Sequence, residues 1–237
     1  SDTQECHSAG ETVTWGGYSY ICTQEDVLSP EKISVLEGTM QNVKTYLENI
    51  FYVDPLNYDF QLAIYSDYFS YGYTKIARDT DLYLTIVSRP YGGSNPLASA
   101  GYLKLDTTRR PIQGGVYVNP RSVPNEIQSE TSTNSKFFYV CIHEIFHAMG
   151  VSSQCFPHYH PRNSTVPFTD IYCSLFDTAT GKNHTFLITP HAHEFAVQQW
   201  GSETFTFGSN SCPAGIEIED GGGSGTTGSH PECRIGH

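Results

Sequence analysis

The sequence predicts a mixed helix-and-sheet domain, α+β or α/β, and three observations carry that expectation. A well-patterned helix opens near residue 30, four short apolar runs bounded by turn residues follow it, and a second patterned helix ends at Gly150. At 237 residues the chain has room for one large domain or two small ones.

The first helix starts at Ser29-Pro30-Glu31, where Ser29 can cap and Pro30 suits the first helical position. Ile33, Leu36, Met40, Val43, Leu47 and Ile50 then step by three and four, which predicts one buried stripe. The runs FQLAIYS (60–66), LYLTIVS (82–88), AGYLKL (100–105) and GGVYVNP (114–120) read as strands, from their β-branched and aromatic content between Gly, Pro, Asn and Asp. The second helix begins around Ser132 to Asn134, both able to cap, and stops at Gly150, a residue fit for a left-handed turn. Residues 151–188 are rich in Pro, Ser and Asn without clear period and read as a loop-rich insert. Thr189-Pro190 opens a further helix over 190–200, ended by Gly201, and GGGSGTTG (221–228) is too glycine-rich for regular structure.

Composition narrows the function. Thirteen Lys+Arg against 25 Asp+Glu give a net charge of -12, which argues against nucleic-acid or anionic-membrane partners. No run of 18 apolar residues exists to span a membrane. The start at Ser1, without a signal-like apolar run, fits either a cytosolic or an already processed chain. Seven cysteines without a CxxC pair speak against a zinc ribbon. Together with the sequons at Asn163 and Asn183 and a Tyr-rich, Lys-poor composition, they favour an extracellular, secreted or cell-surface setting. Seven is odd, so one cysteine is expected to stay free or to pair outside the chain.

The chemistry concentrates in CIHEIFHAMG (141–150). His143 and His147 lie four apart and share a helix face, so two imidazoles can hold Zn²⁺. Glu144 adjoins the first and can serve as general base towards water. An H-E-x-x-H pattern also arises without any metal, but here it lies on a patterned helix and Gly150 follows His147 by three, the metzincin arrangement. The short metzincin form would place the third histidine at 153, which is Ser. His158 and His160, His184, His191 and His193, and His230 and His237 remain as sources, with His230 favoured because it follows a flexible glycine-rich arm.

IHEIFHAMGVS (142–152), ITPHAHEFAVQQW (188–200), IEIEDGGGSGTTGSH (216–230), CTQEDVLSPEK (22–32) and GGVYVNP together resemble, in order along nearly the whole chain, a leishmanolysin-type zinc metallopeptidase of the metzincin clan. The resemblance implies an α+β, metzincin-like fold, with a twisted mixed β-sheet, an active-site helix and a long insert before the third ligand. Residues 1–150 would form the sheet-and-helix subdomain and 151–237 the insert and glycine-rich arm. It implies His143, His147 and His230 as zinc ligands, Glu144 as catalytic base and a Cys6–Cys22 disulfide. It also implies GGVYVNP as an edge strand near the site, with Gly115, Val116 and Tyr117 binding an extended protein or peptide substrate. Family members are secreted or surface-anchored and made with a pro-segment, so this chain would be a mature form, glycosylated at Asn163 and Asn183. The methionine turn lies downstream of the third histidine in metzincins, whereas Met40 and Met149 both precede His230, so a second chain or C-terminal fragment is expected. Cys212 would stand in for a family cysteine replaced here by Gly201-Ser202. The competing function is a catalytically silent adhesion or structural glycoprotein that keeps the peptidase fold.

Overall fold

A computed structural model describes residues 2–63, 75–91, 96–178 and 181–218. It has mixed α+β architecture, with several small sheets and three α-helices among the described residues, and divides into two compact units, Ser1–Ser152 and a second beginning at Ser153.

The first unit begins with a hairpin of β1 (Thr12–Trp15) and β2 (Tyr18–Ile21), tied at its base by the Cys6–Cys22 disulfide. Helix α1 (Pro30–Ile50) starts where the sequence says, with Ser29 Oγ accepting from Lys32 N at 3.3 Å and Pro30 in the first turn. Only the middle of its stripe is fully buried: Leu36, Met40 and Val43 join the core, whereas Ile33 and Ile50 near its ends are exposed.

A short pair, β3 (Phe60–Gln61) and β4 (Ile76–Ala77), precedes the main sheet, and residues 64–66 of the predicted run 60–66 fall outside the described residues. The main sheet contains β5 (Tyr83–Ser88), β6 (Ala98–Leu105) and β7 (Pro111–Val118) in the order β5-β7-β6, with β5 parallel and β6 antiparallel to β7. A tight turn joins β6 to β7: Asp106 Oδ1 accepts from Thr108 N and Arg110 N at 2.7 and 2.9 Å. The expectation that GGVYVNP forms an edge strand is therefore overturned. β7 is central, its ladder groups are shared with neighbours on both sides, and Val116 and Tyr117 are buried. Gly115 pairs with Thr85 on one side and Gly101 on the other, so Gly115, Val116 and Tyr117 cannot accept an added strand.

Helix α2 (Lys136–Ala148) starts one to three residues later than the Ser and Asn candidates suggest. Its core face, Phe137, Phe138, Cys141, Ile142 and Ile145, packs with Leu36, Met40 and Val43 of α1 and with Val116 and Val118 of β7.

In the second unit the expected loop-rich insert carries a hairpin, β8 (Tyr172–Asp177) with β9 (Lys182–Leu187). Alternating burial along it (Leu175, His184 and Phe186 inward, Ser174 and Phe176 outward) is a two-residue period that the surrounding Pro and Asn obscured. Helix α3 (Pro190–Trp200) ends on Gly201 at φ 71°, as predicted. A second hairpin, β10 (Thr204–Phe207) with β11 (Asn210–Pro213), and the short β12 (Ile216–Glu217) on β9 complete the unit. The Cys173–Cys212 disulfide joins β8 to β11 over a small core of Leu175, Phe186, Phe205 and Phe207. Among the described residues no helix is long and apolar enough to cross a membrane.

Candidate metal centre

Helix α2 is set down from three directions. At its start Ser135 makes no side-chain cap. The buried Gln128 takes that place, its Oε1 accepting from Phe137 N at 2.9 Å and Phe138 N at 3.2 Å. Gln128 is in turn held by α1, whose Thr39 Oγ1 accepts from Gln128 N at 3.0 Å and whose Asn42 Nδ2 donates to Gln128 O at 2.9 Å. Midway the apolar face meets the sheet. In the last turn Ala148 lies directly over Gly114 of β7, where a Cβ would come within 2.7 Å of the Ala148 Cβ. Only glycine at 114 allows this approach.

The helix ends in a left-handed turn. Gly150 has φ 101°, its N–H donates to His147 O at 3.1 Å, and Val151 N–H donates to Phe146 O at 2.9 Å. These are the two bonds of a Schellman termination, with glycine at the position that needs positive φ. The turn also reverses the chain so that Val151 O faces back towards the helix, where His147 Nδ1–H donates to it at 2.8 Å. A carbonyl can only accept, so this bond fixes the tautomer and leaves His147 Nε2 with a lone pair.

That lone pair points at His143. The two Nε2 atoms are 3.0 Å apart, with rings 4.6 Å between centroids and nearly perpendicular. That is hydrogen-bond distance, and the same convergence suits a divalent cation. Tetrahedral zinc, at about 2.0–2.1 Å per nitrogen, would set the two ligand atoms about 3.3 Å apart. A small opening of the pair accommodates it, and the Val151 carbonyl is the kind of partner that orients a ligating imidazole. The residues present fit zinc.

Glu144 is buried beside this pair, and its charge is felt by its neighbours. The Cys141 thiol is pushed up to about 12, first by burial and then by Glu144. It stays protonated at neutral pH and is a core residue of α2 rather than a ligand.

The remaining histidine candidates are placed within the second unit. His184 is buried and donates from Nδ1 to Glu217 Oε1 at 2.7 Å, stacking on Phe207 at 4.9 Å. His193 donates from Nδ1 to Ala214 O at 2.7 Å, and His191 is fully exposed. His160 donates to Pro161 O at 2.9 Å in an exposed loop. His230 and His237, with the glycine-rich arm 221–228, lie outside the described residues. Among the described residues, one group of three metal-type donors falls within 4.8 Å, namely Cys6, Glu11 and Cys22, and its two sulfurs are already joined to each other. It offers no thiolate. Asn163 and Asn183 are both exposed, and of the remaining described cysteines Cys141 and Cys155 are buried thiols. Sequence reasoning missed Gln128, Gly114 and Val151. Gly150 signalled the helix end, but nothing in the sequence tied the Val151 carbonyl to His147.

Compared with models of known protein families, the chain matches the one described as leishmanolysin over residues 1–237. A comparison with curated protein sequences returns no match.

Proposed function

The chain belongs to the leishmanolysin family of zinc metallopeptidases, and on that footing we propose that it is an extracellular zinc metalloendopeptidase with Glu144 as general base. The observation that carries this is the convergence of the His143 and His147 Nε2 atoms at 3.0 Å on the helix that also holds the buried Glu144. His143, His147 and, by the family's pattern, His230 are the three protein ligands. When bound, zinc supplies a Lewis acid that acidifies water and polarises the scissile carbonyl. Glu144 would accept a proton from the attacking water on a carboxylate oxygen and could return it to the departing amine. His147 is held in register through its Nδ1–H bond to Val151 O, and His143 is carried one turn earlier on the same rigid helix.

Protein substrates follow from the family. With β7 central, the strands that flank it, β5 and β6, are the edges of the described sheet at which an extended peptide could add by main-chain pairing. The two disulfides, Cys6–Cys22 and Cys173–Cys212, favour an oxidising compartment outside the cytosol. The second, methionine-turn-bearing chain expected from the resemblance finds no support in the described residues and forms no part of the proposal.

Metal analysis of the purified protein tests the core of this, with about one zinc per chain expected. Glu144→Ala should keep that zinc and lose about 10²–10⁴-fold in peptide cleavage, the usual worth of a positioned base. Undiminished cleavage would remove Glu144 from the role. His230→Ala should weaken zinc binding far more than His158→Ala or His160→Ala, and equal effects would overturn the third ligand.

A further inference from the structure

Asn183 and Phe176 are directly opposite one another on the β8–β9 hairpin. The strand alternates cleanly there: His184 and Leu175 point into the core, while Asn183 and Phe176 point out, with Phe176 47% exposed. On the same outer face Ser174 and Thr185 are also cross-strand partners, their hydroxyls hydrogen-bonded at 2.9 Å, and Tyr172 is 55% exposed at the strand's start. Thr185 completes the Asn183-His184-Thr185 sequon. Directly opposed side chains in an antiparallel pair have Cβ atoms about 4.5–5.5 Å apart. Anything attached to the Asn183 amide therefore emerges beside the exposed Phe176 side chain. A bare aromatic ring on the solvent side of a hairpin gains little from water, whereas the apolar face of a pyranose offers it C–H groups to pack against.

We infer that Asn183 is an N-glycosylation site whose first N-acetylglucosamine packs on Phe176, so that the glycan and the ring stabilise the β8–β9 hairpin together. In the modification, the Asn183 Nδ2 forms a bond to the anomeric carbon of a lipid-pyrophosphate-linked oligosaccharide. The carbon–oxygen bond to pyrophosphate breaks, the lipid pyrophosphate leaves with the bonding pair, and the amide gives up one proton. Asn163, the other sequon, lies in an exposed turn outside any strand and has no cross-strand neighbour. It serves as the internal control. The inference rests on the extracellular part of the proposed function and is independent of the zinc chemistry.

The test expresses the full chain in eukaryotic secretory cells behind a heterologous leader, with peptide mass spectrometry before and after enzymatic glycan removal. Thermal unfolding is then compared in a double-mutant cycle of Phe176→Ala and Asn183→Gln, with glycans trimmed to the first sugar. Asn183 should be occupied, and Phe176→Ala should lower Tm by roughly 2–4 °C in the glycosylated protein but have a clearly smaller effect in the Asn183→Gln background. Phe176→Leu, which keeps an apolar strand residue without the aromatic face, should reproduce the loss if the alanine variant fails to fold. The Asn163→Gln background should leave the effect of Phe176 unchanged. An unmodified Asn183, or equal Tm losses with and without its glycan, would overturn the inference. Occupancy and coupling behind the heterologous leader, with no glycan on protein from its native source, would support the packing and overturn the extracellular assignment.

Discussion

Single residues in this protein are placed by partners distant in sequence, and Asp26 shows how. It is buried, accepts from Thr23 N and Thr23 Oγ1 at 2.9 and 2.8 Å, and receives Arg121 Nε and Nη2 at 2.8 and 3.0 Å. Burial pushes its carboxyl pKa up, but the Arg121 and Thr23 hydrogen bonds with the Arg121 charge outweigh that and hold it below the ordinary value. A carboxylate with a depressed folded pKa contributes stability that is complete above its unfolded pKa of about 4 and is lost as pH falls through the lower folded value. Urea unfolding between about pH 2 and 6 should therefore show an acid-side loss that shrinks in Asp26→Asn. Arg121→Met should cost about 1–3 kcal/mol at neutral pH, because it leaves a buried carboxylate short of its donors. Neither residue stands out in the sequence, since a lone Asp and a lone Arg 95 positions apart carry no local signal. His143, Glu144 and His147 were legible because their spacing is itself the helical repeat.

At the scale of the element, α2 depends on how its two ends are finished. Gly150 at φ 101° lets the chain turn and hand the Val151 carbonyl to His147. Gly150→Ala should cost about 1–2 kcal/mol for the left-handed conformation, and loss of the orienting bond should weaken zinc binding by about 10–100-fold. Calorimetric metal titration checks the second effect independently of stability. At the other end Gln128→Ala strands two buried N–H groups and should cost about 1–3 kcal/mol in urea unfolding, with Gln128→Glu recovering most of it because a carboxylate also accepts at a helix N-terminus. The helix itself and its stop at Gly150 could be read from periodicity and one glycine. Its true start could not, since the acceptor for its first N–H groups comes from Gln128 rather than from a capping Ser or Asn. The β8–β9 hairpin escaped for a different reason. Turn-forming residues around it masked a two-residue period that burial makes plain.

For the whole molecule, each compact unit carries its own covalent tie. Cys6–Cys22 spans 16 positions and Cys173–Cys212 spans 39. Loop-closure entropy makes these worth about 3 and about 4 kcal/mol. Replacing the first pair with serine should raise hydrogen exchange within residues 1–152, and replacing the second should raise it beyond 153; a spread of either effect across both units would show that the two do not unfold separately. Sheet order belongs to this scale as well. GGVYVNP has the composition of a strand, but whether it lies at an edge or in the centre depends on where β5 and β6 fall beside it, and residues in 114–120 cannot report that.

By itself the sequence determined the things that follow from local repeat and chemistry. These are the α1 helix and its Ser29 start, α3 and its Gly201 stop, the placing of His143 and His147 on one face, and Glu144 beside them. Tertiary structure alone decided that β7 is buried between two strands, that Gln128 caps α2, and that Gly114 yields its place to Ala148. The difference is physical: a helix face is fixed by a backbone repeat of a few residues, whereas strand order, caps supplied from elsewhere and close approaches are settled by which distant segments pack together.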